Sequence, residues 1–266
     1  MAGCLNTGCS LDTVYKMPMP DPSTKPKPLS WTSYAISDVG KVRKHNEDSY
    51  LERPETGLWV VADGMGGHAK GDVASKMIVE ALKKSHEGTT LVKYIDEIED
   101  RLLNVNQKLI EKARASSKRS TIGSTVVIML AYEKYVIYMW AGDSRLYRLR
   151  NGEMRQITTD HSQVELYIEQ GMISREEALV HPHGNMITRA IGATEELYLD
   201  IDMQEMERFD RYLLCSDGLT KHIHDYELEE HLNKGNSCEE TCKTLIDLTL
   251  SRGAGDNVTA IIVDIE

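Results

Sequence analysis

Four aspartates in this chain stand beside a glycine at the edge of an apolar run: Leu58-Trp59-Val60-Val61-Ala62-Asp63-Gly64, Tyr138-Met139-Trp140-Ala141-Gly142-Asp143, Tyr212-Leu213-Leu214-Cys215-Ser216-Asp217-Gly218, and Gly255-Asp256-Asn257. A strand that is buried along its length and then delivers a carboxylate at a glycine turn is destabilised unless something positive neutralises that charge. Four of them point to one shared cation site. The net charge of -11 disfavours nucleic acid and anionic membrane surfaces as partners, since the basic residues form only the short cluster Lys41-Val42-Arg43-Lys44. Five cysteines, at 4, 9, 215, 238 and 242, are odd in number and lack paired zinc-ligand spacing, which fits a reducing cytoplasm. No apolar stretch is long enough to span a bilayer, so no membrane insertion is expected.

With 266 residues, about 41% of them apolar, the chain can bury one large core. Residues 1–30 read as a flexible, partly extended tail, because Pro18, Pro20, Pro22, Pro26 and Pro28 are too closely spaced for a helix or a central strand. From Trp31 the texture changes. Strands are predicted at 32–36, 49–52, 58–62, 124–131, 135–141, 145–149, 212–216 and 258–264. Two long helices, at about 72–85 and 91–116, fit between the third and fourth strands. Short turns at 132–134 and 142–144 suggest antiparallel neighbours on either side. The expected class is α+β, with two packed antiparallel sheets flanked by helices. A polar segment at about 162–184, with a short helical pattern from Val164 to Gly171, reads as a flap beside a functional site or as a surface insertion.

Arg43-Lys44-His45-Asn46-Glu47-Asp48 joins a guanidinium suited to phosphate with two hard oxygen ligands suited to magnesium or manganese; a solvated charged loop reads equally well from this hexapeptide alone. Asp63 opens the turn Gly64-Met65-Gly66-Gly67, where glycines let backbone carbonyls approach an ion. The same stretch formally fits the dinucleotide fingerprint G-x-G-x-x-A, but the following residues read as more helix and not as a second strand with a terminal acid. Asp143, Asp217 and Asp256 could each be an ordinary turn residue. Gathered together they could not, because two carboxylates about 5 Å apart repel by roughly 3 kcal/mol at an effective dielectric of about 20. Two divalent cations would turn that cluster into a site that acidifies water and clamps a phosphoryl group, and all-oxygen ligands favour magnesium or manganese over zinc.

Seven motifs follow in order: Arg43-x-x-x-Glu47-Asp48, Val61-Ala62-Asp63-Gly64-Met65-Gly66-Gly67, Gly123-Ser124-Thr125, Ala141-Gly142-Asp143-Ser144-Arg145, Ile187-Thr188-Arg189-Ala190-Ile191-Gly192, Cys215-Ser216-Asp217-Gly218-Leu219 and Gly255-Asp256-Asn257-Val258-Thr259. Over residues 32–265 the chain resembles the metal-dependent serine/threonine protein phosphatases of the type 2C family, in its compact bacterial form. The resemblance implies an α-β-β-α sandwich, with a catalytic domain over 31–266 and metals in a cleft at one end of the sheets. It implies that Asp63 bridges two manganese or magnesium ions and that the Gly64 carbonyl completes the second. Asp217 and Asp256 would hold the first, Glu47 and Asp48 would act on the second directly or through waters, and Arg43 would orient the substrate phosphate. Asp143 matches a position that supports a third, weaker metal.

Two positions depart from the family. Met65 stands where eukaryotic relatives carry a histidine as candidate general acid, so leaving-group protonation must come from water or another group. Lys221 stands where many relatives carry an aspartate that helps the third metal, and a lysine there would repel a cation. The implied function is hydrolysis of phosphoserine or phosphothreonine in proteins by a metal-activated water, without a phosphoenzyme. The competing expectation is a non-catalytic member that binds phosphoproteins or scaffolds a complex. Expected partners are phosphorylated proteins and a cognate serine/threonine kinase, in a signalling role, for a monomeric cytoplasmic protein.

Overall fold

The computed structural model describes residues 28–66, 70–85, 90–115, 121–178 and 180–266. Most of the proposed tail, with Cys4 and Cys9, and also His68, lie outside the described residues. Two antiparallel sheets stack face to face. One has the order β1 (Trp31–Asp38), β11 (Val258–Ile265), β10 (Arg211–Cys215), β7 (Arg145–Arg150), β8 (Glu153–Gln156). The other runs β2 (Asp48–Arg53), β3 (Leu58–Met65), β5 (Val126–Tyr132), β6 (Tyr135–Ala141), β9 (Asp200–Glu205), with the short β4 (Gly123–Ser124) pairing β3.

Continuous apolar runs arise because both faces of each central strand are buried. On β3, Leu58, Val60 and Ala62 pack under α1 (Gly71–Leu82) and α2 (Leu91–Ala115), joining Ile78, Leu82, Ile98 and Leu102. Trp59 and Val61 face the other way, into the layer between the sheets, against Tyr212, Leu214, Ile261 and Val263. The far face of the first sheet, carrying Leu213, Ala260 and Ile262, is covered by α6 (Asp225–Leu232) and α7 (Cys238–Ser251) through Leu228, Leu245 and Ile246. Burying each such Leu, Ile or Val contributes about 1.5–3 kcal/mol, so the three apolar layers hold the sandwich together, and among the described residues Cys215, Cys238 and Cys242 are free and buried.

The same alternation aims the acids. Asp63 continues the Trp59, Val61 parity and Asp48 sits opposite it in register, so both belong to the layer between the sheets. Ser216 continues the Tyr212, Leu214 parity, and Thr259 shares that of Ile261 and Val263; both point at the same layer from the other sheet.

Two expectations need correction. The turn at 142–144 is no hairpin: β6 pairs β5 and β9, whereas β7 pairs β10 and β8, so Gly142, at φ +117°, carries the chain from one sheet to the other. Strand β3 runs on through Met65 instead of stopping at Ala62. The glycines after Asp63 and Asp217 also allow close packing: a Cβ on Gly64 would overlap the Gly71 carbonyl, and one on Gly218 would overlap that of Asn257.

Candidate active site

At the end of the sandwich where β3 and β10 deliver their acids lies a cavity of about 450 Å³. Arg43, Glu47, Asp63, Gly64, Asp217 and Asp256 line it, together with Lys44, His45, Met65, Gly66, Asn185, Ile187 and Lys221. Asp48 and Asp143 do not reach the cavity wall; they are buried behind it, 6% and 8% exposed. All five aspartates still share one electrostatic environment. Burial first, then the charges of Asp48, Asp217, Asp143 and Asp256, hold the Asp63 carboxyl well above the usual range. Burial, and after it Asp217 and Asp160, push Asp143 up to about 7.

Asp48 joins the sheets. Its Oδ2 accepts from the Ser216 hydroxyl at 2.8 Å and the Thr259 hydroxyl at 2.7 Å, and Ser216 Oγ accepts in turn from the Thr259 backbone N–H at 3.0 Å. These donors pull its pKa down, yet burial outweighs them and it rises to about 7, helped by Asp217 and Asp256. Asp63 is held by its backbone: its N–H donates to Thr125 Oγ1 at 3.2 Å and its carbonyl accepts from Thr125 N at 2.8 Å. Thr125 Oγ1 and Ser144 Oγ, 2.7 Å apart, tie that position to the Asp143 turn. Asn257 clamps the loop bearing Arg43 and Glu47, its Oδ1 accepting from Glu47 N at 2.8 Å while its Nδ2 donates to Val39 O at 2.8 Å and His45 O at 3.0 Å.

His161 does the same for Asp143. Its Nδ1 accepts from Gly142 N at 3.2 Å, its own N–H donates to Gly142 O at 2.9 Å, and its ring stacks on Trp140 with centroids 5.9 Å apart. Burial pushes its pKa down, which keeps the ring neutral and able to accept. Thr125, Ser144, Ser216, Asn257 and Thr259 lie inside motifs already quoted, and His161 just before the 162–184 segment; hydroxyls and amides beside acids were the available signal.

The donors suit a hard divalent cation. Asp48 Oδ1, Asp143 Oδ1 and Asp217 Oδ1 are buried with no hydrogen-bond partner, a costly state for carboxylate oxygens unless a cation accompanies them. Yet among the described residues no three acidic, histidine or cysteine side chains are drawn together as a finished ligand set. Two positive side chains hold the acids instead. Arg43 forks onto Asp256, Nε to Oδ1 at 2.9 Å and Nη2 to Oδ2 at 3.0 Å. Lys221 Nζ lies 2.5 Å from Asp217 Oδ2 and 3.4 Å from Asp256 Oδ2.

None of the described residues in the 162–184 segment lines the cavity. It holds α3 (Gln163–Glu169), N-capped by Ser162, and α4 (Arg175–Ala178), and its root is pinned by Gln163 N donating to Met186 O and Thr188 N to His161 O. The cavity wall takes Asn185 and Ile187, just beyond it.

A family model described as protein phosphatase 2C matches residues 41–250. The chain is 36% identical over 235 residues to a Listeria innocua protein named serine/threonine phosphatase stp, covering 86% of this chain and 93% of that one. Among solved structures it is similar to PppA of Pseudomonas aeruginosa, described as a key regulatory component of T6SS, with TM-score 0.80 and 40% identity over 89% of this chain and 98% of that one. It is also similar to the catalytic domain of the serine threonine protein phosphatase PstP in complex with two manganese ions, with TM-score 0.79 and 34% identity over 89% and 99% of the two chains.

Proposed function

The chain belongs to the protein phosphatase 2C family, and we propose accordingly that it is a metal-dependent phosphatase that hydrolyses phosphoserine and phosphothreonine in proteins. The observation that carries this reading is the convergence of Arg43, Glu47, Asp63, Gly64, Asp217 and Asp256 on one cavity, backed by buried carboxylate oxygens that lack partners. In this proposal Asp63, Asp217 and Asp256, with the Gly64 carbonyl, would hold two manganese or magnesium ions, and Glu47 and Asp48 would support the second. When bound, the ions neutralise phosphoryl charge and acidify a water. The side chains do the rest. Arg43 exchanges Asp256 for two phosphate oxygens and fixes the phosphorus for in-line attack. The water oxygen forms the new bond to phosphorus as the bond to the seryl or threonyl oxygen breaks. That oxygen leaves with a proton from water, since Met65 at the wall has none to give. A thiol route is disfavoured: burial pushes Cys215 up and away from thiolate character.

The proposed catalytic domain, 31–266, is supported by the register pairing of Trp31 with Ile265. Asp143 is proposed only as ligand of a third, weaker cation. The buried free cysteines support a reducing, cytoplasmic setting, and the proposed partners are phosphoproteins produced by a serine/threonine kinase, acted on by a monomer. No helix among the described residues is long and apolar enough to cross a membrane. One observation, Lys221 against Asp217, favours a second reading as a non-catalytic phosphoprotein-binding or scaffold member.

Hydrolysis of a phosphothreonine peptide with manganese, abolished by chelator, decides between them. Asp63→Asn should fall to background and Arg43→Ala should chiefly raise KM. Wild-type turnover in Asp63→Asn would overturn the mechanism, and no turnover in the wild type would favour the scaffold.

A further inference from the structure

Lys221 has no task in the chemistry above, yet it occupies its centre. It caps the C-terminus of the four-residue helix α5 (Asp217–Thr220), one turn after Asp217, so helix geometry brings its ammonium back over the acid that opens the helix. The ammonium spans two acids from different parts of the chain, Asp217 and Asp256, the pair assigned to the first metal. It touches Oδ2 of each, more closely on Asp217, whose Oδ1 stays buried and unpartnered, while both oxygens of Asp256 are also held by Arg43. Its side chain is 35% exposed, which leaves its flexible stem a route to solvent.

We propose that Lys221 is a tethered competitor for the first metal: its ammonium holds Asp217 and Asp256, and a divalent cation must displace it to load the site. This rests on the reading that those two aspartates are metal ligands. An ammonium and a divalent ion cannot share the same carboxylate oxygens at contact distance, because both need the same lone pairs and repel each other. Metal occupancy therefore becomes a threshold set by the chain itself. Below it the acids are neutralised internally and the fold is kept; above it the lysine swings out and the site is armed.

The test is manganese binding by titration calorimetry on the full chain, with thermal midpoints with and without chelator. Lys221→Met keeps the stem and removes the charge; it should bind manganese about tenfold or more tightly and melt lower than wild type only when chelated. Lys221→Arg should keep the weaker, wild-type affinity, and Lys221→Gln serves if the methionine variant folds poorly. Equal affinities in wild type, Lys221→Met and Lys221→Gln, with binding lost in Asp217→Asn, would overturn the competitor alone. Manganese binding unaffected by Asp217→Asn, or absent from every variant, would overturn the ligand reading on which it rests.

Discussion

Strand β10 begins and ends at charge, and its two ends handle that charge in opposite ways. At its start, Arg211 forks onto Asp264 at 2.6 and 2.7 Å and donates to the Leu232 and Asn236 carbonyls, while the neighbouring Asp210, 1% exposed, takes both arms of Arg150 at 2.6 Å. At its other end come Ser216 and Asp217, facing Asp48, Asp63 and Asp143, where carboxylate oxygens are left without partners. A cavity lies at each end, about 490 Å³ beside the arginines and about 450 Å³ beside the acids, so size does not tell them apart. Unmatched charge does. At the first end arginines reach the acids, the buried Asp210 included; at the second, Arg43 and Lys221 reach only Asp217 and Asp256 and leave Asp48, Asp63 and Asp143 with no cationic partner, which reserves that end for a ligand that supplies the missing charge.

The largest test of this contrast is to withhold that ligand and vary pH. Asp48 and Asp143, pushed up to about 7 from an ordinary 3.8, keep protons in the fold that the unfolded chain has released. Their contribution to stability is complete below pH 3.8 and is lost as pH rises through about 7. The loss is on the order of 4 kcal/mol for one carboxyl, and less than double that for two coupled ones. Chelated protein should therefore melt lower at pH 8 than at pH 5, manganese should reverse the trend, and Asp143→Asn should flatten it. A chelated protein with a flat profile over that range would erase the distinction between the two ends.

The next effect falls on the paired end. Arg211→Met leaves Asp264 without its guanidinium and two carbonyls without donors, at a cost of about 3–5 kcal/mol in urea denaturation. Because this end serves the fold, kcat with saturating manganese should stay within about twofold of wild type at a temperature where the variant is folded. A loss of turnover without a loss of stability would show that the two ends are coupled along β10.

How much of this could be read beforehand follows the same physics. Runs of apolar, β-branched and aromatic residues announced eight strands, most plainly the central ones, because strands buried on both faces write their position into composition. The edge strands β8 and β9 carry mostly polar or exposed residues, among them Ile201 and Met203, and left no such record. Helix α7 was missed because its buried stripe, Cys238, Thr241, Cys242, Leu245, Ile246 and Thr249, mixes two threonines and two cysteines with only two aliphatic side chains. The crossover at Gly142 looked like a hairpin, since chain spacing cannot say which sheet a strand joins. At the site, carboxylates stood out as charges ending apolar runs; the hydroxyls and amides that fix them did not, because Ser, Thr and Asn are ordinary at turns.

Asp48 carries both regimes on one side chain, and the smallest effect is the sharpest there. Its Oδ2 has two hydroxyl donors, from Ser216 and Thr259, like an acid of the paired end, while its Oδ1 is buried and bare, like an acid of the open end. Thr259→Val keeps the shape and removes one donor, so stability should fall by about 1–3 kcal/mol whether or not metal is present. The freed carboxylate also loses the bond that aims it, and ligand-orienting partners of this kind are worth roughly 10–100-fold in metal affinity. Manganese affinity should thus weaken in Thr259→Val while Asp48→Asn, which keeps an acceptor but removes the charge, weakens it further. Were Thr259→Val to cost stability and leave manganese affinity untouched, Asp48 would belong to the paired end alone, as a stitch between the sheets and nothing more.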